Sequence, residues 1–378
     1  MRVLFSFVGG QGHLDPLLPI AHAAVVAGHD VTFSAQAEMC ERVRALGFAV
    51  RPSGTSTLFT ERQPLLVPDR NRERDAVRAS FAGAIARSRA ADLLDVIAEF
   101  EPDVLVCDEI DFGAMIAAER AGIPHASVVV IASGSFVDAA LVADPLNALR
   151  AEHGLEPDPE LAMLHRHLVL VPVPPRFRDP ACPLPSTARM LRPAVLDASD
   201  GTERQCAPRA RPLVYVTLGT IFNLESDDVL ARIVGAIREL PIDVLAAVGP
   251  YVEPAELGPQ PGNVCVESFV AQHEVLRRAA VVVCHGGSGT VVGALACGVP
   301  VVVIPLGADQ LDNAARVTML GVGIALDVTD LRDDDIRRAV EQALTDVQMR
   351  ARAASFAADA AAMPGPDAAV GLLEALAT

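Results

Sequence analysis

The stretch AAVVVCHGGSGTVVGALACGVPVVVIPLGADQLDN, residues 279–313, carries the strongest structural signal in the chain. Its apolar start predicts a buried strand that ends at His285, and Gly286–Gly287 then allow a tight turn. Ser288–Thr290 open a helix that Gly298 ends. Unpaired backbone N–H groups, the positive end of the helix dipole and two hydroxyls meet at such a turn, which predicts an anion site. Ordinary turn chemistry is the alternative explanation for a glycine-rich segment of this kind.

The end of the same stretch adds groups that suit a sugar. The run VPVVVIP predicts the next parallel strand, and the loop after Pro305 brings Asp309 and Gln310 to the same edge of the sheet. A carboxylate and an amide beside a phosphate site can bind sugar hydroxyls. Alternatively, Asp309 is the N-cap of the helix predicted over 309–320.

Short β-rich runs alternate with helical segments on both sides of this stretch, which is typical of parallel sheets covered on both faces. The alternation fails over the proline-rich residues 171–212 and restarts at LVYVTLG. We therefore predict an α/β protein with two doubly wound, Rossmann-like domains facing each other across a cleft. The predicted boundaries are an N-terminal domain over 1–195, a linker over 196–211, a C-terminal domain over 212–350 and C-terminal helices over 351–378 that pack back on the N-terminal domain. Residues 55–78 predict either a mobile loop or irregular helix beside the cleft, or a plain solvated loop.

The composition argues against several classes of protein. A net charge of −17 over 378 residues argues against nucleic acid or an anionic membrane as a partner. The sequence contains no Lys, which excludes a P-loop lysine and a Schiff-base lysine. The seven Cys include no CxxC pair, which is typical of reduced thiols. Because no apolar run reaches the roughly 18–20 residues that cross a membrane, we expect a soluble, cytoplasmic protein.

Four segments taken together resemble one family. They are GGQGHLDPLLPIAHAAVVAGHDVTF near the N-terminus, LVYVTLGT, FVAQHEVL and HGGSGT…ALACGVPVVVIPLGADQLDNA. In this order and spacing they resemble the GT-B glycosyltransferases, specifically the natural-product and small-molecule family of the bacterial antibiotic and macrolide type. The resemblance covers nearly the whole chain. It implies that the N-terminal domain binds an acceptor and the C-terminal domain a nucleotide-sugar donor.

The resemblance also implies roles for individual side chains. The implied donor contacts are His285, Gly287, Ser288, Gly289, Thr290 and Thr220 for the diphosphate, Gln272 and Val270 for the base, and Asp309 and Gln310 for the sugar. His13 matches the catalytic base of the family, and Asp108 matches the acid that orients it. The N-terminal domain would form the acceptor pocket, for which the candidates are Phe81, Phe112, Met115, Ser133 and Phe136.

The His13–Asp108 pair also makes chemical sense without the resemblance. An acceptor hydroxyl is a poor nucleophile, so a base must take its proton as it attacks the anomeric carbon. His13 lies in the loop after the first strand and Asp108 at the end of another parallel strand, so both reach one edge of the sheet. A carboxylate fixes the histidine tautomer and stabilises the imidazolium that forms. Glu109 and Asp111 compete for this role, and we expect Asp108→Asn to cost less activity than His13→Ala.

The expected reaction is a single displacement with inversion, from a UDP- or TDP-sugar to a hydroxyl of a hydrophobic natural product. No carboxylate cluster is convincingly placed for Mg²⁺, so we expect neither metal nor cofactor. Gly293 stands where many relatives carry a ribose-binding Glu, and the chain has no Trp to stack on the base, so the nucleotide stays open.

Two rival readings remain. A sugar-nucleotide 2-epimerase would not need His13, and a non-catalytic helper protein should have lost the HGGSGT and DQ motifs that are intact here. The sequence leaves a homodimer open.

Overall fold

The computed structural model describes residues 1–57, 61–196, 211–220 and 222–378, and of Leu196 only the backbone. Most of the predicted linker, residues 197–210, therefore lies outside the described residues. Two parallel sheets make up the two halves of the chain, as the alternation of strands and helices predicts.

The N-terminal sheet has seven parallel strands in the order β3-β2-β1-β4-β5-β6-β7. The strands are β1 Arg2–Ser6, β2 Asp30–Ala35, β3 Ala49–Pro52, β4 Val104–Asp108, β5 His125–Val128, β6 Leu168–Val171 and β7 Ala188–Met190. The helices are α1 Gln11–Leu14, α2 Leu18–Val26, α3 Ala37–Ala45, α4 Arg70–Ala76, α5 Ala86–Phe100, α6 Phe112–Ala121 and α7 Ala139–Glu152, with a π-helical stretch at Val77–Ile85. The strand order reverses between β1 and β4, so the loops that follow these two strands form a crevice at the carboxyl edge.

The C-terminal sheet has six parallel strands in the order β10-β9-β8-β11-β12-β13. The strands are β8 Leu213–Thr217, β9 Asp243–Ala247, β10 Val264–Glu267, β11 Val281–Cys284, β12 Val301–Val303 and β13 Gly323–Ala325. The helices of this half are α8 Val229–Ile237, α9 Gln272–Leu276, α10 Ser288–Ala296, α11 Gln310–Leu320 and α12 Asp333–Thr345. Its order reverses between β8 and β11, which again places a crevice where the glycine-rich turn lies.

The two halves share an apolar cluster and a buried cation. Val129, Val171 and Phe177 of the first half pack in one buried cluster with side chains of β11 and α10. Arg316 of α11 is 6% exposed and donates to the backbone carbonyls of Phe177 (2.8 Å) and Arg176 (2.9 Å). A guanidinium that binds two carbonyls of the opposite domain connects the two domains at this point.

The C-terminal tail forms two helices that pack differently. The last helix, α14 (Asp367–Leu376), returns to the N-terminal domain, where Leu373 is buried in the same cluster as Ala21 and Ala24 of α2. The preceding helix, α13 (Val347–Ala361), instead packs on α10, because its apolar face carries Phe356 into the shared cluster. This helix contacts the N-terminal domain as well, since Phe356 meets Phe177 edge to face at a centroid distance of 6.2 Å and Asp359 pairs with Arg176 at 2.7 Å. Among the described residues, no helix combines the length and the hydropathy needed to cross a membrane.

Candidate active site

The loops at the carboxyl edges of the two sheets meet. The backbone N–H of Ala132, four residues beyond β5, donates to Oγ of Ser288 at the start of α10, at 2.7 Å. The charge of Asp309, in the loop after β12, also acts on His13 of the opposite domain. The fold thus brings the predicted base and the predicted donor site to one cleft.

A short helix presents His13 to Asp108. β1 ends at Ser6, and a turn through Gly9 and Gly10 leads into α1, in which His13 lies. Gly9 has φ +83°, and a Cβ at this position would lie 3.1 Å from Cδ2 of His13, so the close approach requires glycine. Nδ1 of His13 lies 3.4 Å from Oδ2 of Asp108. The structure therefore brings the predicted pair together.

Asp108 is held in place by the backbone. It is fully buried, and its two oxygens accept different backbone N–H groups: Oδ2 from Val8 and Oδ1 from Ile110, both at 2.8 Å. A carboxylate with these partners is compensated without a side-chain cation. It can therefore accept a hydrogen bond from Nδ1 of His13 and leave Nε2 as the basic nitrogen.

The surrounding charges raise the pKa of His13 above 6.5. Burial acts in the opposite direction and is the largest single influence, but the charge and hydrogen bond of Asp108 and the charges of Asp309 and Glu109 outweigh it. The side chain is 25% exposed, so a ligand in the cleft can reach it.

The acids that compete with Asp108 have other partners. Asp111 is fully buried, pairs with Arg89 at 2.7 Å and accepts from the hydroxyl of Ser6, also at 2.7 Å. Glu109 points to the loop after β5 instead, and burial raises its pKa to about 7. The buried guanidinium of Arg89 also donates to both oxygens of Ser53. We did not predict this cation from the sequence, since RSRAAD reads as an ordinary helix surface.

Two glycines form the space that holds His285. A Cβ on Gly219 would lie 2.7 Å from Cε1 of the imidazole, and a Cβ on Gly287 would lie 2.5 Å from Nε2. Phe222 covers the ring at a centroid distance of 5.7 Å. Burial lowers the pKa of His285 to about 4, against the opposing effect of a backbone hydrogen bond with Thr217. The imidazole is therefore neutral at pH 7 and carries one N–H, which the Thr217 carbonyl can accept, so donation to an anion requires the second ring nitrogen to be protonated.

The hydroxyls of the glycine-rich turn bind protein groups. The hydroxyl of Ser288 donates to Oδ2 of Asp309 at 2.6 Å, and that of Thr290 lies 3.4 Å from Oε1 of Gln272. No side chain caps the start of α10, whose N-cap is Gly287. The groups left for a diphosphate at this turn are thus the first backbone N–H groups of the helix.

The two residues of the DQ motif, Asp309 and Gln310, have different hydrogen-bond partners. Asp309 occupies the N-cap position of α11 without making a capping hydrogen bond, and its carboxylate faces Ser288 instead. Gln310 is 1% exposed, and its Oε1 accepts from the backbone N–H groups of Leu306 (2.7 Å) and Gly307 (3.1 Å). Its Oε1 therefore shapes the loop that carries Asp309, and of the two polar atoms of this side chain only the amide nitrogen is left for the predicted sugar contact.

Asn313 is a member of this site that we did not predict. Its Nδ2 lies within hydrogen-bond distance of three acceptors, which share its two N–H groups: Oδ2 of Asp309 (2.8 Å), Oγ of Ser288 (3.1 Å) and the carbonyl of Gly286 (2.9 Å). The spacing of Asp309 and Asn313, four residues apart on one helix face, is the signal that could have revealed it.

The remaining predicted donor residues lie at the rim. Gln272 begins α9 and contacts α10 through Thr290, Val270 is half-buried just before that helix, and Thr220 is exposed after β8. Gly293 lies inside α10, where a Cβ would be 3.1 Å from Cδ1 of Leu276. No group of three or more His, Cys, Asp or Glu suited to a metal ion occurs in the described ranges.

The acceptor candidates need correction. Phe112, Met115 and Ser133 are fully buried, the first two in the apolar core under α5 and α6, so these three side chains present no surface to a ligand. The strand-to-helix turn at Asp111 points the start of α6 inward, which the sequence pattern does not reveal. Phe81 and Phe136 are only partly buried on the edge of that core and stay candidates.

Comparison with known proteins gives the family. The family described as "Erythromycin biosynthesis protein CIII-like, C-terminal domain" matches residues 231–376. The chain is 30% identical to 4′-demethylrebeccamycin synthase from Lentzea aerocolonigenes, over 99% of both chains. It is 30% identical to L-demethylnoviosyl transferase from Streptomyces niveus, over 93% of this chain and 94% of that protein.

A solved structure with the same fold is the spinosyn rhamnosyltransferase complexed with thymidine diphosphate. It has a TM-score of 0.82 and 23% identity, over 99% of this chain and 100% of that one. With a relative of 30% identity along its whole length and two facing parallel sheets, the chain belongs to the natural-product glycosyltransferases of GT-B fold, the antibiotic and macrolide type that transfers sugars from nucleotide donors.

Proposed function

We propose that the protein transfers a sugar with inversion, and without a metal ion, from a thymidine diphosphate sugar to a hydroxyl of a hydrophobic natural product. The observation that carries this proposal is the His13–Asp108 pair, which lies 3.4 Å apart at the cleft opposite the glycine-rich turn. The thymidine nucleotide is favoured by the spinosyn rhamnosyltransferase of the same fold, which binds thymidine diphosphate.

The proposed step is one displacement. Nε2 of His13 takes the proton of the acceptor hydroxyl as its oxygen attacks the anomeric carbon. The bond from that carbon to the diphosphate oxygen breaks on the opposite face, so the configuration inverts. Asp108 keeps the proton of His13 on Nδ1 before the step and stabilises the imidazolium afterwards.

The protein itself can stabilise the leaving diphosphate. The uncapped N–H groups of α10 are preorganised donors, and their interaction with the developing charge strengthens as the bond breaks. His285 lies beside this turn and donates to the diphosphate once the bound anion favours its imidazolium form. In this proposal Asp309, held by Ser288 and Asn313, binds hydroxyls of the donor sugar.

The first experiment measures nucleotide binding. Calorimetry with TDP, UDP and GDP, each with 5 mM Mg²⁺ or EDTA, compares the wild type with His285→Ala and with the control His153→Ala at the end of α7. We expect one nucleotide to bind in the micromolar range regardless of Mg²⁺, to bind the control equally and to bind His285→Ala at least about tenfold more weakly. Failure of all nucleotides to bind would overturn the proposal, and dependence on Mg²⁺ would overturn its metal-independent part.

The second experiment determines the stereochemistry. The donor chosen by calorimetry is offered with a panel of hydrophobic aglycones, and proton NMR of the product gives the anomeric configuration. An anomeric configuration opposite to that of the donor supports the single displacement, whereas retention would exclude it.

A further inference from the structure

The loop that follows β5 connects the two halves of the site. Glu109 directly follows the catalytic Asp108 and extends toward this loop. Its Oε1 accepts two consecutive backbone N–H groups, from Val130 at 2.7 Å and from Ile131 at 2.6 Å. Two successive amides that converge on one carboxylate oxygen fix the curvature of the loop.

The next amide of the loop points to the other domain. The N–H of Ala132 donates to Oγ of Ser288 at 2.7 Å, and the hydroxyl of Ser288 donates in turn to Oδ2 of Asp309 at 2.6 Å. Asn313 completes the arrangement by donating to both Ser288 and Asp309. Hydrogen bonds joined by the 130–132 backbone therefore connect Glu109, next to the acid of the predicted catalytic pair, with the carboxylate of Asp309.

The loop is supported from its other side as well. A guanidinium nitrogen of Arg178 donates to the carbonyl of Ile131 at 3.2 Å, so the backbone N–H and the backbone carbonyl of this residue both have side-chain partners. The backbone N–H of Asp179 donates to the carbonyl of Ser133 at 2.9 Å. A loop held in this way can present the Ala132 amide in one position.

We infer that Glu109 is a positioning residue for the donor site of the opposite domain, acting through the 130–132 backbone and Ser288 on Asp309. This inference rests on the proposed function, because it assumes that Asp309 binds the donor sugar. Without Glu109 the loop loses its curvature, Ala132 no longer reaches Ser288, and Ser288 no longer orients Asp309.

The test is a double-mutant cycle on donor binding, with TDP-glucose and TDP as calorimetric probes. We expect Glu109→Ala and Ser288→Ala each to weaken TDP-glucose binding about tenfold, with a smaller effect on TDP. Because both act through one chain of bonds, the double variant should bind no more than about threefold more weakly than Ser288→Ala alone. Glu109→Gln keeps the accepting oxygen and should restore binding to within about threefold of the wild type. Losses that multiply in the double variant, or a Glu109→Ala variant that binds like the wild type, would overturn the inference.

A matched control separates positioning from stability. Oδ1 of Asp346 also accepts two consecutive amides, from Gln348 (2.9 Å) and Met349 (3.0 Å), but at the start of α13. Asp346→Ala should lower the melting temperature while leaving TDP-glucose binding unchanged. A loss of binding in this control equal to that of Glu109→Ala would assign the effect to general destabilisation and refute the inference.

Hydrogen exchange, which needs no nucleotide, tests the inference independently of the proposed function. Hydrogen exchange of a peptide that spans 129–134 should speed up in Ser288→Ala, since the Ala132 amide loses its acceptor. Unchanged exchange would overturn the inference even if transfer is confirmed. If the wild type binds no nucleotide but the exchange responds as expected, the proposed function fails and the link between the domains stands.

Discussion

Asp108→Asn should lower both turnover and stability, although the two side chains have nearly the same shape. The carboxylate has two oxygens and three nearby donors: the N–H groups of Val8 and Ile110, each at 2.8 Å, and Nδ1 of His13 at 3.4 Å. An amide has only one oxygen, so its NH₂ group must face at least one backbone N–H. From the sequence alone we expect a smaller loss than in His13→Ala, because the geometry would survive, and the two backbone donors change that reasoning.

The expected magnitude follows from these contacts. One buried backbone N–H without an acceptor costs about 1–3 kcal/mol of the free energy of unfolding. If the NH₂ group faces His13, the imidazole must accept at Nδ1 and carry its proton on Nε2, which removes the base. The corresponding change in a serine protease triad lowers kcat about 10⁴-fold, so we expect a loss of about 10²- to 10⁴-fold here.

The assay combines turnover with a titration that needs no acceptor. NMR of ¹³C-labelled histidine follows the ring of His13, assigned by its absence in His13→Gln, and its pKa should fall in Asp108→Asn because a neutral amide no longer favours the imidazolium. As a control, Asp158→Asn removes a carboxylate that likewise accepts one backbone N–H on each oxygen, from Ala162 (2.9 Å) and Met163 (2.8 Å), far from the cleft. It should lose stability but keep turnover. An unchanged His13 titration together with turnover within about tenfold of the wild type would refute the reasoning.

Three further predictions follow from the geometry. Gly287→Ala should weaken TDP binding in calorimetry at least about tenfold, because the new Cβ would lie 2.5 Å from Nε2 of His285. The φ angle of −60° at this position suits alanine, so the substitution adds no backbone strain. Wild-type affinity would contradict this prediction. Arg89→Ala should lower the free energy of unfolding in urea by about 3–5 kcal/mol, since it leaves the buried carboxylate of Asp111 unpaired. The melting temperature of the control Arg87→Ala, which removes an exposed ion pair, should not change. Equal effects of the two substitutions would refute the role of burial. Burial lowers the pKa of His125 to about 4, so its contribution to stability is complete above pH 6.5 and is lost as the pH falls toward 4. In His125→Gln the free energy of unfolding should therefore depend less steeply on pH between these two values. An unchanged slope would argue against a neutral, buried imidazole.

Much of the architecture could be predicted from local patterns. Apolar runs separated by glycine turns and amphipathic segments determine parallel strands and their helices, and two such series predict two doubly wound sheets. The pairing of His13 with Asp108 could also be predicted, because both residues follow strands and the carboxyl ends of parallel strands share one edge.

The predictions failed where a side chain's environment depends on residues distant in sequence. Phe112 and Met115 were predicted to line the acceptor pocket, but they lie in the core because α5 packs over α6. The buried Arg89 cannot be distinguished from a surface arginine until Ser6, Ser53 and Asp111 are brought around it.

The sequence by itself determined the two parallel sheets, the glycine-rich turn and the sheet edge at which the candidate catalytic residues meet. These depend on periodicity and on glycine conformations, which are properties of neighbouring residues. Only the tertiary structure decided how the polar groups share their hydrogen bonds: that Gln310 shapes a loop, that Ser288 binds Asp309 and Ala132, and that Glu109 holds the loop between them. A hydrogen bond is directional and short-ranged, so the partner that a side chain takes is settled only when distant segments come within about 3 Å of each other.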